Sequence, residues 1–133
     1  MSGYALVLAS GELERIQAVS MIGSVAATSD VPVEVFVTMN ALSAFETDRI
    51  ESGDFQVGGP VGEAMLSEGG DEVPLFTEQL AQAKEIGPLS IYACSLAMDL
   101  MGTEMKDYAE VFDEELGVAG FLSHARDKQV VFV

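Results

Sequence analysis

The 133-residue sequence predicts an α/β protein, a three-layer α/β/α domain built on a mostly parallel sheet of four to five strands. Three observations predict it. Short runs of β-branched and apolar residues alternate with stretches of helical spacing. The runs are apolar on both faces, as strands covered by helices on both sides must be. Turn residues punctuate the alternation at Ser10-Gly11, Thr28-Ser29-Asp30 and Gly87-Pro88.

Tyr4–Ala9 is the first such run, continuous and apolar. Glu12–Ala27 then has helical spacing, with Leu13, Ile16, Met21 and Val25 near one face and Glu12 and Glu14 in the first turn, where the helix dipole favours acids. Val33–Thr38 is a second strand rich in β-branched residues. Asn40 is placed to cap a short helix through Ala41, Leu42 and Phe45. From Thr47 to Val73 the pattern dissolves into a glycine-rich stretch with Gly58-Gly59-Pro60 and Gly69-Gly70, which predicts a long loop insertion, 47–73, inside a single domain, 1–133. Pro74–Ile86 recovers helical spacing and stops at Gly87-Pro88. Pro88–Cys94 is a buried strand, and Ser95–Met101 a short helix closed by Gly102. Thr103 then caps a helix with Met105, Tyr108, Ala109 and Phe112 on one face. Leu116–Val118 is a very short strand, Val118–Ala125 a helix, and Gln129–Val133 the closing strand.

In open parallel sheets ligands bind beyond the carboxyl ends of the strands, where strand order reverses. With the order 2-1-3, that crevice lies between the first and third strands. Ser10 and Gly11 would flank it on one side and Cys94 and Ser95 on the other, with Thr38 close by.

Charge narrows the partners. The chain carries 22 acidic and 6 basic residues, net −16, and the basic ones are scattered. Phosphate backbones and anionic membrane surfaces are repelled, which argues against nucleic-acid and membrane binding. The acids are dispersed too, the pattern expected of a protein from a halophile, because molar salt shortens the Debye length to about 3 Å and suppresses self-repulsion. No apolar run is long enough to cross a bilayer, and Ala5–Ala9 is too short, and lacks the basic flank, for a signal peptide. A single cysteine gives no internal disulfide framework, in keeping with a reducing cytoplasm.

Cys94 is that cysteine. A thiol where a strand hands over to a helix meets the unpaired first amides of the helix and the positive end of its dipole, and both favour a thiolate nucleophile. A free cysteine is also an ordinary small core residue. His124, the only histidine, sits beside the apolar face of the last helix and reads as a helix-surface or core residue. With no second His or Cys nearby, a transition-metal site has no ligand set, and the glycine pairs match neither a dinucleotide nor a Walker motif. No metal and no cofactor is therefore expected. Met98, Met101 and Met105 follow Cys94 at helical spacing and read as core.

The segment Ile91-Tyr-Ala-Cys-Ser-Leu-Ala-Met-Asp-Leu-Met-Gly102 resembles the cysteine motif of the DsrE/DsrF-like family, in which an apolar strand ends in Ala-Cys and a Met-containing helix ending in Met-Gly follows. Leu6-Val-Leu8, Val35-Phe-Val-Thr38 and Gly117-Val-Ala-Gly-Phe-Leu122 agree in order and spacing. The resemblance implies a three-layer α/β fold, homo- or hetero-oligomers (for this chain a homo-oligomer, a trimer or hexamer, is expected), and a cysteine that carries sulfane sulfur as a persulfide to or from small sulfur-carrier proteins. Carried over by position, that cysteine is Cys94. Some relatives possess a second cysteine; this chain has none, so an intramolecular disulfide cycle is excluded.

The function expected is thus a cytoplasmic sulfur carrier, a sulfurtransferase-type protein that need not release a small-molecule product. Ser95 is a candidate hydrogen-bond donor to the sulfur, and Ser10, Gly11 and Thr38 line the crevice. Two other functions compete: a single-cysteine thiol peroxidase or redox sensor, resolved by an external thiol, and a non-catalytic oligomeric binding module in which Cys94 is only packed.

Overall fold

The structure, a computed structural model, describes residues 2–67 and 75–133. Its elements are β1 (Tyr4–Leu8), α1 (Leu13–Thr28), β2 (Val33–Val37), α2 (Met39–Ala44), α3 (Thr47–Ser52), α4 (Pro60–Leu66), α5 (Phe76–Ile86), β3 (Leu89–Cys94), α6 (Ser95–Met101), a 3-10 turn at Met105–Asp107, β4 (Glu114–Leu116), α7 (Val118–His124) and β5 (Gln129–Phe132). The five strands form one sheet in which every neighbouring pair is parallel. The predicted α/β class is the one observed.

The strand order is β4-β3-β2-β1-β5. It corrects the expected 2-1-3 arrangement: β2 lies between β1 and β3, pairing Val33–Val37 with Tyr4–Leu8 on one side and Leu89–Ala93 on the other. From β1 to β4 the chain steps always in one direction, so its right-handed crossovers bring α1 and α5 onto the same face. There Gly23 of α1 faces Leu6, Val33 and Leu89, and Ser20 of α1 donates a hydrogen bond to the Phe76 carbonyl of α5 at 3.3 Å. The last crossover runs back to β5 over the opposite face, carrying α7. Phe121 of α7 is 1% exposed and stacks on Phe36 of β2, with ring centroids 4.7 Å apart. Order reverses between β1 and β5, and the carbonyl of Val133 closes that seam by accepting from the amides of Ala9 and Ser10.

Several local expectations change. α1 buries Leu13, Ile16, Val19, Ser20 and Gly23, whereas Met21 and Val25 are exposed. A helix whose apolar residues run almost all the way round has no single stripe to read from spacing alone. The stretch 47–73 is not simply a loop. It holds α3 and α4, each shorter than the window over which helical periodicity can be read; Pro60 opens α4 at a position where its missing N–H costs nothing. Residues 68–73 of the predicted insertion, with Gly69 and Gly70, and Pro74, the predicted start of the next helix, lie outside the described residues. Thr38, not Asn40, occupies the N-cap position of α2. Thr103 caps no helix either. The 3-10 turn that follows is closed by a reciprocal pair, Glu104 and Asp107, while the Thr103 hydroxyl bonds that of Tyr108.

A second apolar centre lies beyond α2. Phe45 packs against Phe76 and Phe112 at centroid distances of 4.9 and 5.3 Å, and Phe55 packs edge-on to Phe76 at 5.6 Å. It ties the 47–67 region to α5 and the body of the domain.

Candidate functional site

Cys94 is the last residue of β3 and the N-cap of α6, with extended backbone angles of φ −72° and ψ 117°. On one side it pairs with Leu116 of β4. On the other lies the end of β2, where Thr38 follows Val37, the partner of Ala93. Cys94 therefore stands at the carboxyl edge of the sheet, with Thr38 beside it. α6 ends, as its glycine signals, at Gly102, which takes the left-handed φ of 65° that residues with a side chain avoid.

Two features qualify the thiol. It is 0% exposed, and it makes no capping hydrogen bond to the amides of α6. Ser95 is half-buried at the first position of the helix, and Ala97 and Met98 turn inward, while Leu96, Leu100 and Met101 are exposed. Met98 is thus core, but Met101 is not. Next to the site, Met39 adopts φ 50°. A non-glycine residue in that region carries backbone strain of roughly 1–3 kcal/mol, and such strain concentrates where chains are shaped for function.

The remaining predicted residues separate into other places. Ser10 and Gly11 follow β1, so β2 stands between them and Cys94, and they do not form the far wall of a crevice beside it. The Ser10 hydroxyl accepts from the amide of Glu12 at 3.1 Å and closes the turn into α1. Gly11 packs against the Asn40 backbone, where a Cβ would come within 2.9 Å of the carbonyl oxygen, and it lines a polar cavity distinct from the cysteine.

His124 belongs to a cluster that spacing could not reveal. The Tyr92 hydroxyl donates to one carboxylate oxygen of Glu34 at 3.1 Å, and His124 Nδ1 lies 3.3 Å from the other. The rings of Tyr92 and His124 are 5.1 Å apart. The three residues come from β2, β3 and α7 and fasten α7 to the sheet. Burial foremost, with Glu34 adding to it, pushes the Tyr92 phenol up to about 12. Of the two placements expected for His124, helix surface or core, it takes the surface one, with a carboxylate partner added.

Fold and site together define an α/β protein with an all-parallel sheet and one cysteine at its carboxyl edge. No family model matches the chain, and no curated protein matches it. Among solved structures it is similar over the whole of both chains to MTH1491, a protein of unknown function from Methanobacterium thermoautotrophicum, with a TM-score of 0.67 and 12% identity. It is similar, again over the whole of both chains, to the ychN protein from E. coli, with a TM-score of 0.63 and 12% identity. These likenesses establish a shared fold. Among the described residues no helix is long and apolar enough to cross a membrane.

Proposed function

We propose that the protein is a cytoplasmic carrier of sulfane sulfur, held as a persulfide on Cys94, and a member of the DsrE/DsrF-like group that its cysteine motif resembles. The observation that carries this reading is the position of Cys94 at the carboxyl edge of a parallel sheet, at the junction of β3 with α6; strand order reverses at β1, two strands away, so the reading rests on that junction and not on the switch point. The strained backbone of Met39, at the neighbouring strand end, supports it.

The transfer balances without an external oxidant. The Cys94 thiolate attacks the outer sulfur of a donor persulfide, a new S–S bond forms at Sγ, and the donor's S–S bond breaks with its electron pair leaving on the donor thiolate. Because the thiol is closed off, loading requires that the cover over Cys94 open, by movement of α6 or docking of a partner on its exposed Leu96, Leu100 and Met101. A homo-oligomer, trimer or hexamer, belongs to the same proposal.

Complete burial of the thiol favours one other reading, a non-catalytic oligomeric module in which Cys94 only packs. Incubation of the folded protein with inorganic polysulfide, followed by intact-mass measurement, separates the two. The carrier gains one sulfur, and Cys94→Ser gains none while keeping its fold. His124→Ala loads normally, and Ser95→Ala loads only modestly less, by the ~0.5–1.5 kcal/mol of one hydrogen bond. A thiol that resists both polysulfide and alkylation until the chain is unfolded leaves the packing role. A gain of oxygen after peroxide, with none of sulfur, would instead identify a peroxidase or redox sensor.

A further inference from the structure

Six basic residues serve a chain with 22 acids, and four of them are paired with carboxylates: Arg15 with Glu12, Lys84 with Asp113, Lys106 with Glu104, and Lys128 with Asp127. Arg49 is different. It is half-buried, and its only hydrogen bond among the described residues runs from Nη1 to the backbone carbonyl of Asp54, at 3.1 Å. A guanidinium has five N–H donors and binds oxyanions with two of them at once. Among the described residues, most of those donors, and the whole positive charge, are left without a carboxylate.

Arg49 lines a cavity of about 160 Å³ together with Gly11, Asn40, Ser43, Phe55 and Gln56. The side chains of Asn40, Ser43 and Gln56 make no hydrogen bond among the described residues, so two carboxamides and a hydroxyl are available beside the guanidinium. Among the described residues no carboxylate lines the cavity, in a chain where acids outnumber bases by more than three to one. Gly11 follows β1 and Asn40 lies one residue into α2, just past β2, so the cavity opens at the carboxyl edge of the sheet. Phe55, packed on Phe76, supplies an apolar wall.

We infer that this cavity is a binding site for a small oxyanion, a carboxylate or a tetrahedral oxyanion of sulfur or phosphorus. Arg49 is its charged anchor, and Ser43, Asn40 and Gln56 are its neutral donors. The volume lies well below the ~300 Å³ at which drug-sized ligands begin, which limits the ligand to a few heavy atoms. The net charge of −16 opposes any anion at long range, but in molar salt that field is screened within about 3 Å and direct donors decide the affinity. The inference makes no use of Cys94.

The test is an NMR titration of ¹⁵N-labelled protein with sodium sulfate, inorganic phosphate and sodium acetate in turn, ionic strength being held constant with potassium chloride. The expected result is a saturating shift of the Arg49 Nε–H and the Gly11 amide with at least one of the three, and the one that saturates identifies the anion class. Arg49→Gln weakens that binding about tenfold or more, the loss of charge-assisted hydrogen bonds, and Ser43→Ala weakens it about threefold. Should Arg49→Gln disturb the spectrum away from the cavity, Ser43→Ala, which leaves the Arg49–Asp54 bond in place, decides. Shifts that rise linearly with all three anions, or affinities unchanged in a folded variant, overturn the site.

Discussion

The carboxylate of Glu14, on the first turn of α1, accepts the amide of Gly58 with both of its oxygens, at 3.0 and 2.9 Å. Gly62 lies so close that a Cβ there would meet the same carboxylate at 2.5 Å, and one at Gly58 would meet that of Glu12 at 2.4 Å. The two glycines leave the space in which acids of α1 hold the segment leading into α4. The hydrogen bond from the Gly58 amide, with smaller contributions from Gly59 and Gly62, keeps the Glu14 carboxyl below its ordinary value of 4.5.

A carboxyl held low in the folded chain stabilises it above the unfolded value and ceases to do so as pH falls through the folded one. The stability difference between wild type and Glu14→Gln is therefore expected to be constant from neutral pH down to about 5 and to shrink below 4.5. Thermal melts of both proteins across that range, in molar potassium chloride so that the loss of one like charge matters little, check the sign. A difference that grows on acidification contradicts the contact.

Tyr92 should behave in the opposite sense. Its phenol is raised to about 12, so the stability it contributes is full below the ordinary value of 10.0 and is lost as pH climbs through about 12. Phenolate absorbance during an alkaline titration is expected to show one tyrosine ionising at about 12, and Tyr92→Phe to remove that step, while Tyr108, whose phenol burial also raises, still ionises above the ordinary value. The same substitution takes one hydrogen bond from Glu34 and costs about 1 kcal/mol at neutral pH.

Removing Phe121 tests the attachment of α7. Its ring is buried between the helix and Phe36, so Phe121→Ala is expected to cost about 3–5 kcal/mol in a denaturant titration. A cost below 1 kcal/mol would mean that α7 contributes little to the fold.

Salt is the fourth test, and it bears on the expectation, drawn from the dispersed acids, of a halophilic origin. With a net charge of −16, the melting temperature is expected to rise steeply from dilute buffer to molar potassium chloride. A midpoint that stays flat or falls would assign the acidity to a basic partner instead. Light scattering in the same high-salt buffer measures the oligomer, which a clean 14.1 kDa species would rule out.

The alternation of strand and helix, the class of fold and the junction at Cys94 were all legible in the sequence. Tyr4–Leu8, Val33–Val37 and Leu89–Cys94 are local apolar runs, and Gly102 ends α6 by its own backbone preference. Such features depend on neighbours in the chain. Strand order does not: only the tertiary packing, with α1 and α5 on one face and α7 on the other, sets β2 between β1 and β3 and so parts Ser10 and Gly11 from Cys94. The tertiary structure alone also decided that the Cys94 thiol is closed off, that Glu14 meets Gly58 across 44 residues, and that Arg49 turns toward Gly11 and Asn40. These are contacts between residues distant in sequence. Periodicity carries no record of them, because it reports which face a residue occupies and not what faces it.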